Sequence, residues 1–336
     1  MKATTQMTDE TTLPAYVERG GEQTFAPPWA ATGVLLRTFF VLTDEAALQR
    51  QCDRYLNAPT GGKTDYRPVL PIALLAFAEL THLQSTSEPD RNRGWVSERD
   101  VAFWFLTMSV RKELGIDVAQ SLSFFQPYFF VDQPQALCTG REAVGFPKEL
   151  SDIELSGPLD RPGRLSVTTN VSPSFDPSVR IAPREIVTVT PAATAPATAA
   201  PPAQHDSLAG VLREAWSALQ ADGQSIPIPS LKLLFDLAGE ILKAEMPCVF
   251  LKQFRDPRDG SRACYQALVE QPIRTTAFRR GGLLPGRYDL SLAAYPSHPI
   301  AADMGITPAR CKSLLGVWMD FDFTMETGNV VWEARR

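Results

Sequence analysis

Side chains alternate over residues 317–325, with Val317, Met319, Phe321, Phe323 and Met325 on one face and Asp320, Asp322 and Thr324 on the other. A period of two belongs to a strand buried on one side only. The following Glu326-Thr327-Gly328-Asn329 turns the chain back into 330–333 and predicts a C-terminal hairpin. Residues 248–254 and 262–269 flank Asp256-Pro257-Arg258-Asp259-Gly260-Ser261, a second hairpin signal with Asp-Gly at the turn. Residues 164–171 alternate in the same way through Leu165, Val167, Thr169 and Val171, and 288–295 form a further strand ended by Pro296 and Pro299. Apolar runs at 34–42, 69–80, 94–110 and 124–130 read as buried strands, with Arg37 the one charge inside the first. The expected architecture is mainly β, a β-rich α+β domain of barrel type with helices on its periphery.

The helices are few. Thr43-Asp44 supplies an N-cap for an amphipathic helix over 46–56, and two more follow at 207–219 and 230–244. Thr60-Gly61-Gly62-Lys63-Thr64 has the look of a phosphate loop, but Asn57 stands where that motif requires glycine, so the segment is read as a turn. The Ala/Pro-rich stretch 190–204 is too poor in large apolar side chains to pack and predicts a loop or linker. Residues 1–24 are expected to form a flexible arm.

Charge and cysteine usage narrow the function classes. A formal net charge of -5 lacks the clustered Lys and Arg that nucleic-acid or anionic-membrane binding needs, and Arg279-Arg280 is too small a patch to change that. No apolar run reaches the roughly 18 residues of a membrane-spanning helix, and the start of the chain has no apolar signal core. A soluble, cytoplasmic protein is expected. Cys52, Cys138, Cys248, Cys264 and Cys311 are scattered without C-x-x-C spacing, so they read as reduced, packed thiols. His82, His205 and His298 have no second ligand at metal-site spacing, which argues against a metal centre or a Ser-His-Asp triad.

One segment carries chemistry. Residues 136–150 place Lys148 beside Pro147 and Phe146, soon after the aromatic run 124–130. An isolated Pro-Lys pair is most often a surface lysine. A lysine among apolar side chains instead loses hydration of its ammonium form, and the neutral, nucleophilic amine becomes available. Making a lysine substantially neutral near pH 7 takes a shift of about 3 pKa units, roughly 4 kcal/mol, which desolvation can supply. Glu98, followed closely by Phe103, Trp104 and Phe105, is either a partly buried carboxylate needing a partner or an exposed strand-end group.

Taken together, Gly140-Arg141-Glu142 and Gly145-Phe146-Pro147-Lys148 resemble the Gly-Arg-Glu, aromatic-Pro-Lys signature of the acetoacetate decarboxylase family. Gly94-Trp95-Val96-Ser97-Glu98 is similar to the segment bearing that family's active-site glutamate, and Phe129-Phe130-Val131-Asp132 to the strand leading into the signature. The resemblance spans most of a single domain at 25–335, with an insertion at about 176–246. It implies a cone-shaped antiparallel β-barrel in a homo-oligomer and a lyase in which Lys148 forms a Schiff base with a small oxo-acid substrate. Glu98 is then the neighbouring catalytic carboxylate, while Arg37, Arg141, Glu142 and Phe146 are substrate-binding or pocket residues. The implied reaction is decarboxylation of acetoacetate or a related β-keto acid, with no cofactor or metal, since the iminium is the electron sink.

In that family a second lysine follows the first, and activation by desolvation or by a neighbouring cation is its known device. Here Glu149 follows. If the segment is extended, Glu149 points to the face opposite Lys148. An aldolase or dehydratase acting on pyruvate-like oxo acids is the alternative reading, and a noncatalytic binding or assembly protein on the same barrel is a third.

Overall fold

The computed structural model describes residues 15–17, 24–193, 203–221, 246–308 and 311–334. The helix expected at 230–244 lies outside them, as do most of the N-terminal arm and most of the Ala/Pro stretch. Fourteen strands form one connected sheet system. In chain order they are β1 (Trp29–Leu42), β2 (Tyr66–Pro68), β3 (Ile72–Ser85), β4 (Val96–Glu113), β5 (Ile116–Val131), β6 (Lys148–Leu155) and β7 (Leu165–Val171). Beyond these come β8 (Ala182–Pro191), β9 (Gln204–His205), β10 (Met246–Arg255), β11 (Ala263–Leu283), β12 (Tyr288–Leu292), β13 (Ser313–Met325) and β14 (Asn329–Glu333). Among the described residues four α-helices pack near the sheet or lead into the site, α1 (Glu45–Cys52), α2 (Pro134–Thr139), α3 (Leu208–Ala221) and α4 (Ile300–Met304).

Strands β4, β5, β10, β11, β13, β1 and β3 pair in a closed cycle. From it β6, β7, β8 and β12 continue as an appended run. The expectation of a purely antiparallel arrangement needs correcting at one strand. One edge of β5 pairs antiparallel with β4, and the other is shared by two parallel partners, β10 at Phe124 and Phe125 and β6 at Phe129 to Val131. Both β6 and β10 follow long excursions of the chain, so neither is obliged to return as a hairpin.

The predicted C-terminal hairpin is also corrected. The chain does not turn back at 326–329: β14 runs in the same direction as β13 and pairs antiparallel with β11 through Ala267 to Glu270, beyond the Ile273 to Leu283 stretch that β13 covers. Both edges of β13 are occupied, by β1 and by β11, so a hairpin return has no edge of β13 to pair with, and β14 instead extends along the same edge of β11. The 256–261 hairpin forms as expected, with β10 and β11 antiparallel.

The sheet buries side chains on both faces. On one face Phe39, Phe77, Val101, Phe103 and Phe130 pack with Val167, Val187 and Val189 of the appended strands and with Leu48, Cys52 and Leu56 of the α1 region. On the other, Ala102, Phe129, Val144, Phe146 and Phe250 form a separate cluster with Trp29. Helix α3 covers part of the sheet through Val211 and Ala215. All five cysteines are free thiols, and burial pushes those of Cys52 and Cys248 upward. Among the described residues no helix is long and apolar enough to cross a membrane.

Candidate active site

The signature segment is folded by its glycines. Helix α2 starts at Gln133, whose side chain accepts the Gln135 N–H at 3.2 Å, and runs into a wide turn at Gly140–Val144. The N–H groups of Gly145 and Phe146 both donate to the Gly140 carbonyl, at 2.9 and 3.1 Å. Gly145 has φ +98°, and a Cβ there would lie 2.5 Å from Cα of Lys252, so both conformation and space require glycine. The chain then passes through Phe146 and Pro147 and enters β6 at Lys148, beside Phe129 of β5. A Cβ on Gly140 would lie 2.9 Å from Cδ of Lys148, so that glycine leaves the room in which the lysine stem runs. Arg141 Nη1 donates to the Lys148 carbonyl at 3.1 Å and holds the strand start in place.

Lys148 is only 6% exposed. Its Nζ lies 3.7 Å from Glu98 Oε1, and 4.9 and 5.2 Å from the ring centroids of Phe129 and Phe146. Glu98 is 4% exposed, and its Oε2 has no hydrogen-bond partner among the described residues. Burial raises the pKa of the Glu98 carboxyl, Lys148 opposes the rise, and the charge of Asp132 adds to it. Asp100, two residues along the same strand face and half-buried, is pushed up to about 8, first by burial and then by Glu98 and Asp132, with Lys148 again opposing. Burial thus raises the pKa of two carboxyls on β4 that both interact with the Lys148 amine, an arrangement able to hold and pass on a proton.

The amine lines a cavity of about 30 Å³. Phe25, Trp29, Leu80, Val96 and Met325 supply apolar walls, and Gln84, Glu98, Thr139 and Lys148 supply the polar groups. Among the described residues, no group of three or more His, Cys, Asp or Glu side chains is placed to hold a metal ion.

Of the residues singled out from the sequence, Lys148, Glu98 and Phe146 meet at this cavity. Arg141 stands behind it as backbone support, and Glu142 accepts a hydrogen bond from the Tyr16 hydroxyl at 2.8 Å. Arg37 does not line the cavity. Leu80, which does, pairs with Val34, so the cavity face of β1 carries Val34 and Leu36, and Arg37 projects to the other side. There it is 6% exposed, its Nε and Nη1 have no hydrogen-bond partner among the described residues, and burial lowers its pKa. Glu149 also points away from the cavity. Its Oε2 lies 2.8 Å from Nε2 of the buried His298, whose Nδ1 is 2.8 Å from Ser297 Oγ. Asp100 and Gln84 are site residues that the sequence alone does not single out. The i, i+2 spacing of Asp100 from Glu98 is a signal for the first, whereas Gln84 reaches the site only through the pairing of β3 with its neighbours.

A closed cycle of strands carrying a buried lysine–carboxylate pair defines the class: the chain has the acetoacetate decarboxylase-like fold. Acetoacetate decarboxylase from Legionella pneumophila superimposes with a TM-score of 0.57 at 14% identity, over 96% of this chain and 94% of that one. A second acetoacetate decarboxylase gives 0.52 at 13% identity, over 94% and 93%. The enduracididine biosynthesis enzyme MppR, with HEPES buffer bound, gives 0.53 at 14% identity, over 92% and 89%. By sequence, no protein-family model and no curated protein matches.

Proposed function

We propose that the chain is a Schiff-base-forming lyase whose Lys148 condenses with the ketone carbon of a small oxo acid, with decarboxylation of a β-keto acid such as acetoacetate as its reaction. The observation that carries this reading is the 3.7 Å approach of Lys148 Nζ to Glu98 in a buried, aromatic-walled cavity. The neutral amine attacks the ketone carbon to give a carbinolamine. Glu98, whose carboxyl burial pushes upward, gives its proton to the departing hydroxyl, and water leaves as the iminium forms. The bond to the carboxylate carbon breaks, its electron pair moves toward the iminium nitrogen, and carbon dioxide departs. Protonation of the enamine carbon and addition of water then release the ketone and restore the amine.

Aldol or dehydration chemistry on the same iminium is the second reading. It is favoured by one observation: Glu149, not a second lysine, follows Lys148, so no neighbouring cation stands beside the amine.

Incubation with acetoacetate or pyruvate followed by borohydride reduction is expected to add mass to the peptide containing Lys148, and Lys148→Ala is expected to abolish the adduct. Absence of any adduct in the unaltered protein would remove both enzyme readings and leave a noncatalytic role. Where the adduct forms, carbon dioxide release from acetoacetate, set against condensation of pyruvate with an aldehyde, separates the two reactions.

A further inference from the structure

A Schiff base accounts for the ketone carbon of a substrate, but it leaves the second polar end of an oxo acid without a recognition group. Besides Lys148 and Glu98, the cavity walls carry the side chains of Thr139 and Gln84. Thr139 Oγ1 is already used, accepting the Phe25 N–H at 3.1 Å.

Gln84 is held differently. Its Oε1 lies 3.1 Å from His82 Nε2, and the His82 ring is stacked on Trp95 with centroids 4.6 Å apart and planes 22° from parallel. With that imidazole nitrogen donating, the amide oxygen is turned toward His82. The amide NH2 has no hydrogen-bond partner among the described residues. An amide whose oxygen is turned to His82 has its two N–H donors free on the other side of the group.

We propose that Gln84 determines substrate specificity: its NH2 group donates to a carboxylate or second carbonyl oxygen of the molecule held on Lys148. His82, clamped against Trp95, is the positioning residue that keeps the amide turned that way. The inference rests on the Schiff-base reading and deepens it, since it assigns to an amide the task that Arg37, on the far face, does not perform. It also states the substrate class, an oxo compound with a hydrogen-bond acceptor beyond the reacting ketone.

The test compares borohydride trapping of acetone, which has no second oxygen, with trapping of acetoacetate and pyruvate. Gln84→Met keeps the length of the side chain and removes both donors without adding a charge beside Lys148 and Glu98. It is expected to raise the concentration needed for half-maximal trapping of the oxo acids by about 10- to 100-fold, with acetone trapping changed by less than about twofold. Gln84→Leu should act in the same direction. His82→Phe keeps an aromatic ring for Trp95 but loses the donor, and should produce a smaller rise confined to the oxo acids. The inference is overturned if Gln84→Met leaves the oxo acids within about twofold, or if acetone and oxo acids weaken together, which is the mark of a merely structural side chain. If the unaltered protein traps none of the three compounds, the Schiff-base reading fails first and the role of Gln84 falls with it.

Discussion

At Gly140 a missing side chain is what places the proposed nucleophile. Gly140→Ala would set a methyl group 2.9 Å from Lys148 Cδ and 3.1 Å from its Cε, with Phe146 as close as 3.3 Å. Because Gly140 has ordinary helical torsions, the backbone tolerates alanine and the strain falls on the lysine. The expected result is a folded protein, with its melting transition nearly unchanged, in which borohydride trapping at Lys148 falls by at least about tenfold, the effect of roughly 1.4 kcal/mol of misplacement. Asp100 makes a different prediction. Its carboxyl goes from an ordinary value of 3.8 to about 8 on folding, so between those limits the folded state holds a proton that the unfolded state has released. Its contribution is therefore whole below about pH 4 and is lost as the pH climbs to about 8. Asp100→Asn should flatten this decline, and thermal melts across that range are the check. Protein that declines as steeply with asparagine in place would rule out Asp100 as the source.

Among the elements, the start of β6 matters most, because consecutive residues there serve opposite faces. Lys148 enters the cavity with Glu98, and Glu149 turns to His298 on the other side. The glutamate that stands in place of a second lysine is thus separated from the amine by the sheet itself, as the alternation of an extended segment requires. Helix α1 shows how legible a local signal can be. Asp44 Oδ1 accepts the Ala47 N–H at 2.9 Å, the cap that Thr43-Asp44 announces. Asp44→Ala should cost about 1 kcal/mol, measured as a drop in melting temperature with trapping at Lys148 intact. The Leu114-Gly115 turn joining β4 to β5 is equally local, since Leu114 at φ 52° and Gly115 at φ 82° make it a two-residue reversal. Leucine in the first of those positions hides it, because the usual asparagine or glycine signal is missing there.

At the scale of the whole molecule, strand periodicity, the Asp44 cap, the 256–261 turn and the glycine-punctuated signature were all legible in the sequence, because each is set by side chains within a few residues of one another. The same holds for the opposite facing of Lys148 and Glu149. Which strand edges meet was decided by the tertiary structure alone. β14 continues β13 along β11 instead of folding back, since both edges of β13 are taken, and β5 accepts two parallel partners because long excursions of the chain free them from hairpin return. Those pairings decide the site. They bring Glu98 and Asp100 of β4 to Lys148 of β6, carry Gln84 to the cavity wall, and fix β1 in the register that sends Arg37 to the far face. A one-residue change of register moves every side chain of a strand to the other face. No signal within β1 specifies that register, since its two neighbours are β3 and the distant β13. The sequence by itself determined that Lys148 would stand beside Pro147 and Phe146 and, in an extended segment, face away from Glu149. Its carboxyl neighbours, its cavity and the separation from Arg37 came from how distant strands share edges.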